Sequence, residues 1–367
     1  MSTPRFPYER HRRQIASILS AWSMRDADAE RTAEVMAWAD LHGIDSHGFS
    51  MLTVYDARRS EGRLNMQALP KILRETPVSA LIDADGGLGY VPSRLAMESA
   101  IARAKTIGIG VVTVRNSAHF GACGFYAAMA AEAGLIGMVA TSASMIQVAP
   151  TGGAQARLGT DPWAFAAPAE PGRPFLLDMA TTTVAAGRIR NKANEDVPCP
   201  PGWVLTKDGQ PSTDPLEASE KGGTLTSLGG SLEGSSYKGY GLAGMVNILS
   251  SCLSGATLIT DPMHTKKPQG MDIGHFFLAL DPALFRDGAD FEQDVTSFCN
   301  VLRATQPADP ATPVQVAGDP QREHARERRA NGIPIGRNLL GKVRSIAEQA
   351  GAPWLLEETA LQGDQRE

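Results

Sequence analysis

Cysteine is scarce in this sequence, charge is low, and no basic stripe is present. The four cysteines, Cys123, Cys199, Cys252 and Cys299, are scattered through 367 residues with no C-x-x-C and no regular spacing. That argues against a disulfide framework or a zinc ribbon and reads as four reduced thiols in a cytosolic protein. Charged residues make up 20% of the chain, against a usual level of about 25%, and the formal net charge is −5. The densest cationic segment, Arg322 to Arg329, is interleaved with Glu323 and Glu327, the pattern of a solvated helix face rather than a nucleic-acid contact. No signal peptide is visible: Met1 to Gln14 is polar and basic with no apolar stretch behind it. The longest uncharged run, Gly239 to Thr260, has the length of a membrane span. It contains Asn247, Ser250, Ser251, Ser254 and several glycines, and reads as a buried helix of a soluble protein with no membrane partner.

Nucleotide fingerprints are missing too. Gly108-Ile-Gly110 has no third glycine in place and precedes a strand, and Lys238-Gly-Tyr-Gly241 also lacks the third glycine. A P-loop is absent. A nucleotide bound here would therefore not be held by a Rossmann fold.

What is abundant is glycine, 37 of 367 residues or about 10%, against a usual level of about 7%. Together with 24 prolines this remains below the range of low-complexity chains, so disorder, collagen and coiled coil are excluded for the bulk. The length suits two or three domains. Residues 7–42 read as helical, with Asp26 and Asp28 suited to a helix N-terminus and Gly43 as a stop. The spacing then predicts strands at 78–82, 110–114 and 135–141, alternating with helices at 92–106 and 123–133. Short strands follow at Phe165 and Phe175, with a turn at Lys207-Asp208-Gly209 and a long Gly/Ser-rich loop at 216–236. A helix at 239–254, a strand at 275–280, a helix at 291–304, a proline-rich linker at 307–313 and a helical end complete the reading. The expected architecture is α/β: a helical domain built from both chain ends (1–75 with 290–367) and an α/β region (76–289).

Seven histidines occur. His11, His264, His275 and His324 stand in contexts that suit surface or satisfied structural residues. His42 and His47 lie in Asp40-Leu-His-Gly-Ile-Asp-Ser-His-Gly48, and His119 lies in Asn116-Ser-Ala-His-Phe-Gly121. A histidine between Ser and Gly just past a helix end is expected to be exposed and to titrate near neutrality, as a general acid/base requires. A turn capped by Ser46 with an incidental histidine fits the spacing equally well. His42 and His47 are five apart, off the i, i+4 face of a zinc helix, so no metal is expected. Asp178 followed by small hydroxyl residues and a helix suits ribose or phosphate at a helix N-terminus, or an ordinary cap. Lys238 before Gly239 suggests a lone cation near an anionic group.

Taken together, the chain resembles the malate/L-lactate dehydrogenase family of the non-Rossmann type. The matching stretches are Gly43-Ile-Asp-Ser-His-Gly48, Asn116-Ser-Ala-His-Phe-Gly121, Gly159-Thr-Asp-Pro-Trp-Ala-Phe165, Asp178-Met-Ala-Thr-Thr-Thr183, Gln210-Pro-Ser-Thr-Asp-Pro215 and Lys238-Gly-Tyr-Gly-Leu242. The resemblance runs from about residue 10 to about 345, nearly the whole chain. It implies an α/β fold distinct from Rossmann, a homodimer, and hydride transfer between NAD or NADP and a 2-oxo acid, or a cyclic imine bearing a carboxylate. Carried over by motif, His47 is the proton donor, supported by Ser46, and His119 is a second active-site histidine near the nicotinamide. Thr160 touches substrate. The implied cofactor contacts are His119, Phe120, Gly121, Ser144, Asp178, Met179, Ala180, Lys238, Gly239 and the Gly318-Asp319-Pro320 region.

The chain departs from the family at Met51, where an arginine commonly grips the substrate carboxylate. Either another cation substitutes (Arg58, Arg59 or Arg188), or the substrate is not an ordinary short oxo acid. Arg188 stands where some imine reductases of the family carry an aspartate, which favours a 2-hydroxy-acid substrate over an imine. The expected function is a cytoplasmic NAD(P)-dependent 2-hydroxy-acid dehydrogenase acting on a small carboxylate. The alternatives are a reductase of piperideine- or pyrroline-2-carboxylate and a non-catalytic binding protein on the same scaffold.

Overall fold

The computed structural model describes residues 3–258, 260 and 271–357, so His264 lies outside the described residues. The chain opens with β1 (Arg5–Phe6), α1 (Tyr8–Ala21), α2 (Asp26–Leu41), a 3-10 turn at Asp45–His47 and α3 (Met51–Ser60). It continues with β2 (Lys71–Glu75), β3 (Ser79–Asp83), α4 (Tyr90–Ile107), β4 (Ile109–Ser117), α5 (Cys123–Glu132), β5 (Ile136–Thr141), β6 (Trp163–Ala167), β7 (Phe175–Met179) and α6 (Ala186–Asn194). Then come β8 (Val204–Leu205), β9 (Pro211–Ser212), β10 (Thr224–Leu225), α7 (Tyr237–Asn247), β11 (Ile273–Leu280), α8 (Gly288–Arg303), α9 (Asp319–Asn331), β12 (Ile333–Pro334) and α10 (Arg337–Ala350).

Two compact units result, residues 1–61 with 321–367, and residues 62–320. The first holds α1, α2, α3 and α10 and nearly all of α9, where the sequence reading placed 1–75 with 290–367. β2 hydrogen-bonds to β3, and α8 falls in the second unit, so 62–75 and 290–320 leave the helical part. Within the helical unit the stretch read as one helix is two: Ser23 takes φ 68 and Arg25 is extended, which ends α1 and starts α2. Two-residue pairing of β1 with β12 ties the N-terminus to the end of α9.

The second unit centres on a seven-stranded sheet in the order β2-β3-β4-β11-β5-β6-β7. Only β3 and β4 run parallel, joined by the α4 crossover; every other pair is antiparallel. The late strand β11 sits between β4 and β5, which no local pattern announces. The same unit holds a three-stranded sheet, β10-β8-β9. Its hairpin turn at 207–209 matches the sequence reading, whereas β10 arises inside the loop expected at 216–236. Leu225 of β10 is 2% exposed and packs with Val148, Leu158, Val184, Ile189 and Val204.

The uncharged run forms α7 and a π-helical turn at Ile248–Cys252. The expectation of a buried helix holds for one face only: Ala243 and Val246 are buried, but Ile248 and Leu253 are 61% and 58% exposed. No helix among the described residues is long and apolar enough to cross a membrane.

β11 carries His275, fully buried, with Nδ1 2.7 Å from Thr141 Oγ1, Nε2 2.9 Å from Ser117 Oγ, and the ring stacked on Phe120 at 4.5 Å. Burial lowers its pKa to about 3. The unfolded chain takes up a proton near pH 6.5 that the native state refuses. Stability is therefore complete above 6.5 and declines as pH falls from there toward 3. The urea midpoint at pH 4.5 is expected below that at pH 7, and His275→Gln is expected to narrow the difference.

Candidate active site

In the helical unit, the segment between α2 and α3 carries Ser46 and His47. The 3-10 turn closes when the His47 N–H donates to Ile44 O at 2.9 Å. Ser46 Oγ then lies 2.8 Å from His47 Nδ1. Part of the residue's surface stays accessible, but the ring lies deep among protein atoms, and loss of water pulls its pKa from 6.5 to about 4. This corrects the expectation of an exposed histidine titrating near neutrality. His42 serves the helix end instead: Nδ1 is 2.8 Å from Trp38 O, and its ring stacks on Trp38 at 4.0 Å.

Buried polar groups that sequence reasoning passes over surround this turn. Asp40 Oδ2 accepts from His11 Nε2 and from the Phe49 N–H, both at 2.7 Å. Arg328, 8% exposed, binds both oxygens of Asp45 and the carbonyl of Asp40. Gly48 packs so tightly on Asp40 that a Cβ would overlap its carboxyl. Met51 opens α3, its N–H donating to Gly48 O at 2.9 Å. Arg59 is engaged by Asp56 at 2.8 Å and lies over the Trp22 ring at 5.2 Å.

The second unit gathers most of the other candidates. β7 ends in Asp178 and Met179, and Asp178 Oδ2 accepts the Gly124 N–H at 2.7 Å, in the first turn of α5. A Cβ on Gly124 would stand 2.8 Å from that oxygen, so a larger residue would displace the carboxylate. Burial raises the Asp178 pKa to about 6, opposed by the Gly124 hydrogen bond. Thr160 O accepts the N–H and Oγ1 of Thr181 at 2.9 and 3.1 Å. The Leu228 N–H donates to Thr181 O at 2.9 Å, and Gly239 is buried against the Leu228 backbone. Thr160, Asp178 to Ala180 and Gly239 thus form one connected region. Lys238, in the first turn of α7, is exposed and has no ion pair among the described residues. Arg188, near the start of α6, is exposed and likewise unpaired among them.

Asp161, which lies inside a quoted motif but does not stand out in the sequence, fixes this region. It is fully buried at φ 34, and its two oxygens accept the N–H groups of Ala143 and Gly159, each at 3.0 Å. It thereby positions both Ser144 and Thr160. Asp161→Ala strands one buried and one half-buried donor, at about 1–3 kcal/mol for the buried one and less for the other. Thermal unfolding is expected to show a loss of about 2–4 kcal/mol.

The remaining candidates lie in packed surroundings. Phe120 is 1% exposed, between His275 and Tyr126, and its carbonyl accepts the Tyr126 hydroxyl at 2.6 Å, so its side chain is core. His119 and Gly121 flank it, half-buried and buried. The Asp319 carboxylate accepts from Arg303 Nε and Nη2, each at 2.9 Å, and from the Val316 N–H, fastening Gly318 and Pro320 to α8. Among the described residues no group of three or more His, Cys, Asp or Glu side chains could hold a metal ion.

The model of the malate/L-lactate dehydrogenase family matches residues 6–344. This chain belongs to that family. It is 36% identical to the malate dehydrogenase of Pyrococcus horikoshii over 353 residues, 96% of this chain and 97% of that one. It is 34% identical to the L-sulfolactate dehydrogenase of Methanocaldococcus jannaschii, over 94% of this chain and 96% of that one. The crystal structure of malate dehydrogenase from Entamoeba histolytica superposes with a TM-score of 0.90 at 31% identity, covering 96% and 99% of the two chains. This family member is accordingly an oxidoreductase, a nicotinamide-dependent dehydrogenase acting on the CH–OH group of 2-hydroxy acids.

Proposed function

We propose that the chain interconverts a malate-type 2-hydroxy acid and its 2-oxo acid, with His47 moving the proton. The observation that carries this is the Ser46–His47 pair at 2.8 Å. With Nδ1–H donating to Ser46 Oγ, the Nε2 lone pair is a base; with the Ser46 hydroxyl donating to Nδ1, Nε2 carries the hydrogen. The low pKa keeps the ring neutral at pH 7, ready to accept a proton.

The residues of the second unit fit a nicotinamide cofactor. Asp178 presents an acceptor for a ribose or amide group, because among the described residues its Oδ1 takes no hydrogen bond. Lys238 is an unpaired cation for phosphate. The cofactor, NAD or NADP, supplies a hydride acceptor in one direction and a donor in the other. In oxidation the substrate hydroxyl gives its proton to His47 as the C2–H bond breaks and its electron pair leaves as hydride; in reduction the oxygen takes the proton back. Arg188, exposed and without an ion pair among the described residues, is the cation proposed for the substrate carboxylate. Exposed Phe298 and Val301 on α8, 58% and 69% accessible, support a homodimer.

The test is a panel of 2-oxo acids and cyclic imino acids, read at the absorbance of the reduced nicotinamide with both cofactors. Turnover of 2-oxo dicarboxylic acids is expected. Turnover of cyclic imines alone would overturn the substrate class, and no turnover at all would favour a binding protein.

A further inference from the structure

We propose that Asp40, held by His11, is the positioning residue of the Ser46–His47 pair. The inference rests on His47 as the proton-moving group. His47 lies on a short segment with a single turn of 3-10 helix, and such a segment does not fix an imidazole by itself. It is anchored on both sides. Upstream, Asp45 is gripped by Arg328, whose Nη2 lies 3.2 Å from Asp45 Oδ2. Downstream, the Phe49 N–H, two residues beyond His47, donates to Asp40 Oδ2 at 2.7 Å. Between them Gly48 lies flat on the Asp40 carboxyl with no room for a Cβ. Ser50 Oγ closes the segment by donating to Asp45 O at 2.7 Å.

The chemistry of the anchor is not what stability alone selects. Asp40 is 3% exposed, and His11 is fully buried, with Nδ1 lacking any partner among the described residues. A buried carboxylate–imidazole pair with one unmet nitrogen costs more than a packed apolar pair would. Burial pushes the Asp40 carboxyl up, and the His11 and Phe49 hydrogen bonds oppose it. The titratable and charged groups facing it are His11 from α1, Asp45 from the turn, and Arg328 from α9, which also binds the Asp40 carbonyl. What this arrangement supplies is a fixed acceptor for one loop amide, at a depth that solvent does not reach. It differs from a bulk structural contact in that its partner is the Gly48–Phe49 peptide, one peptide beyond the bond that follows His47.

The decisive variant is Asp40→Asn in the full chain, followed by NMR titration of the His47 imidazole and by steady-state kinetics. With the anchor weakened, water reaches the ring and the His47 titration midpoint is expected to rise by about one pH unit or more. The kcat is expected to fall about tenfold or more, with KM for the nucleotide within about twofold. An unchanged His47 titration in a folded variant overturns the proposal. A shifted titration with unchanged kcat upholds positioning and instead removes His47 from catalysis, so the two failures are distinguishable. Should Asp40→Asn not fold, His11→Phe keeps a ring against Phe49 and removes only the donor. The same upward movement of the titration is then expected, and its absence overturns the proposal.

Discussion

His47→Asn is expected to lower kcat by a factor of about 10²–10⁴, the usual worth of a positioned proton-transfer group, while nucleotide affinity stays within about twofold. The physical reason lies in the Ser46–His47 contact at 2.8 Å. Asparagine keeps a polar group near Ser46 but has no nitrogen that exchanges a proton near neutral pH. The change leaves Asp178 and Lys238, the groups proposed to hold the cofactor, untouched, so nucleotide binding, followed by fluorescence of the reduced form, is expected to stay as it was. Persistence of turnover at the native rate would remove His47 from the chemistry. The wild-type pH profile carries a second, linked expectation. Oxidation of the hydroxy acid needs His47 unprotonated, and its pKa is about 4 in the folded protein. The kcat/KM is therefore expected to hold from pH 8 down to about pH 5 and to fall below it. An acid limb near 6.5 would show that the ring is solvated as an ordinary histidine.

Much of this site is legible in the sequence because glycine and small polar residues bracket the chemistry. Ser46, His47, Asp178 and Lys238 stand out in short motifs, and the strands expected at 110–114 and 135–141 and the helix between them lie within a few residues of β4, β5 and α5. What is not legible comes from contacts distant in sequence. Asp40 gains its role from His11, 29 residues away, and Asp45 from Arg328, 283 residues away. Strand β11 enters the sheet between β4 and β5, and the Asn116 N–H at the end of β4 meets Asp272, 156 residues further along the chain. β10 is hidden because Thr224 and Leu225 sit among glycines and serines and form a strand only by pairing with β8. The low pKa of His47 is equally invisible, since the hydrophilic neighbours Asp45 and Ser46 say nothing of what packs over the ring.

Asp178→Asn is expected to weaken nucleotide binding about 10- to 100-fold while making the protein more stable. The two effects have one cause. The Asp178 carboxyl has lost much of its water, so its pKa lies at about 6 rather than 3.8. The native state thus prefers the neutral form. As pH falls from 6 to 3.8 the folded protein takes up a proton that the unfolded chain does not, and this group's contribution to stability rises through that window. At pH 7 the ionised carboxylate is a net cost, offset in part by the Gly124 N–H at 2.7 Å. A shift of this size corresponds to about 3 kcal/mol if wholly enclosed, and the accessible part of the residue reduces it to about 1–2 kcal/mol. Asparagine removes the charge, and its side-chain oxygen still accepts from Gly124. Thermal unfolding at pH 7 is therefore expected to move upward by a few degrees. Binding responds in the opposite sense, because a charged acceptor that gives about 1.5–3 kcal/mol to a hydroxyl or amide donor is replaced by a weaker neutral one. A residue kept at a cost to the fold and needed by the ligand is the signature of a binding group rather than a cap. If Asp178→Asn loses stability and binds nucleotide as before, the carboxylate is the N-terminal partner of α5 and nothing more.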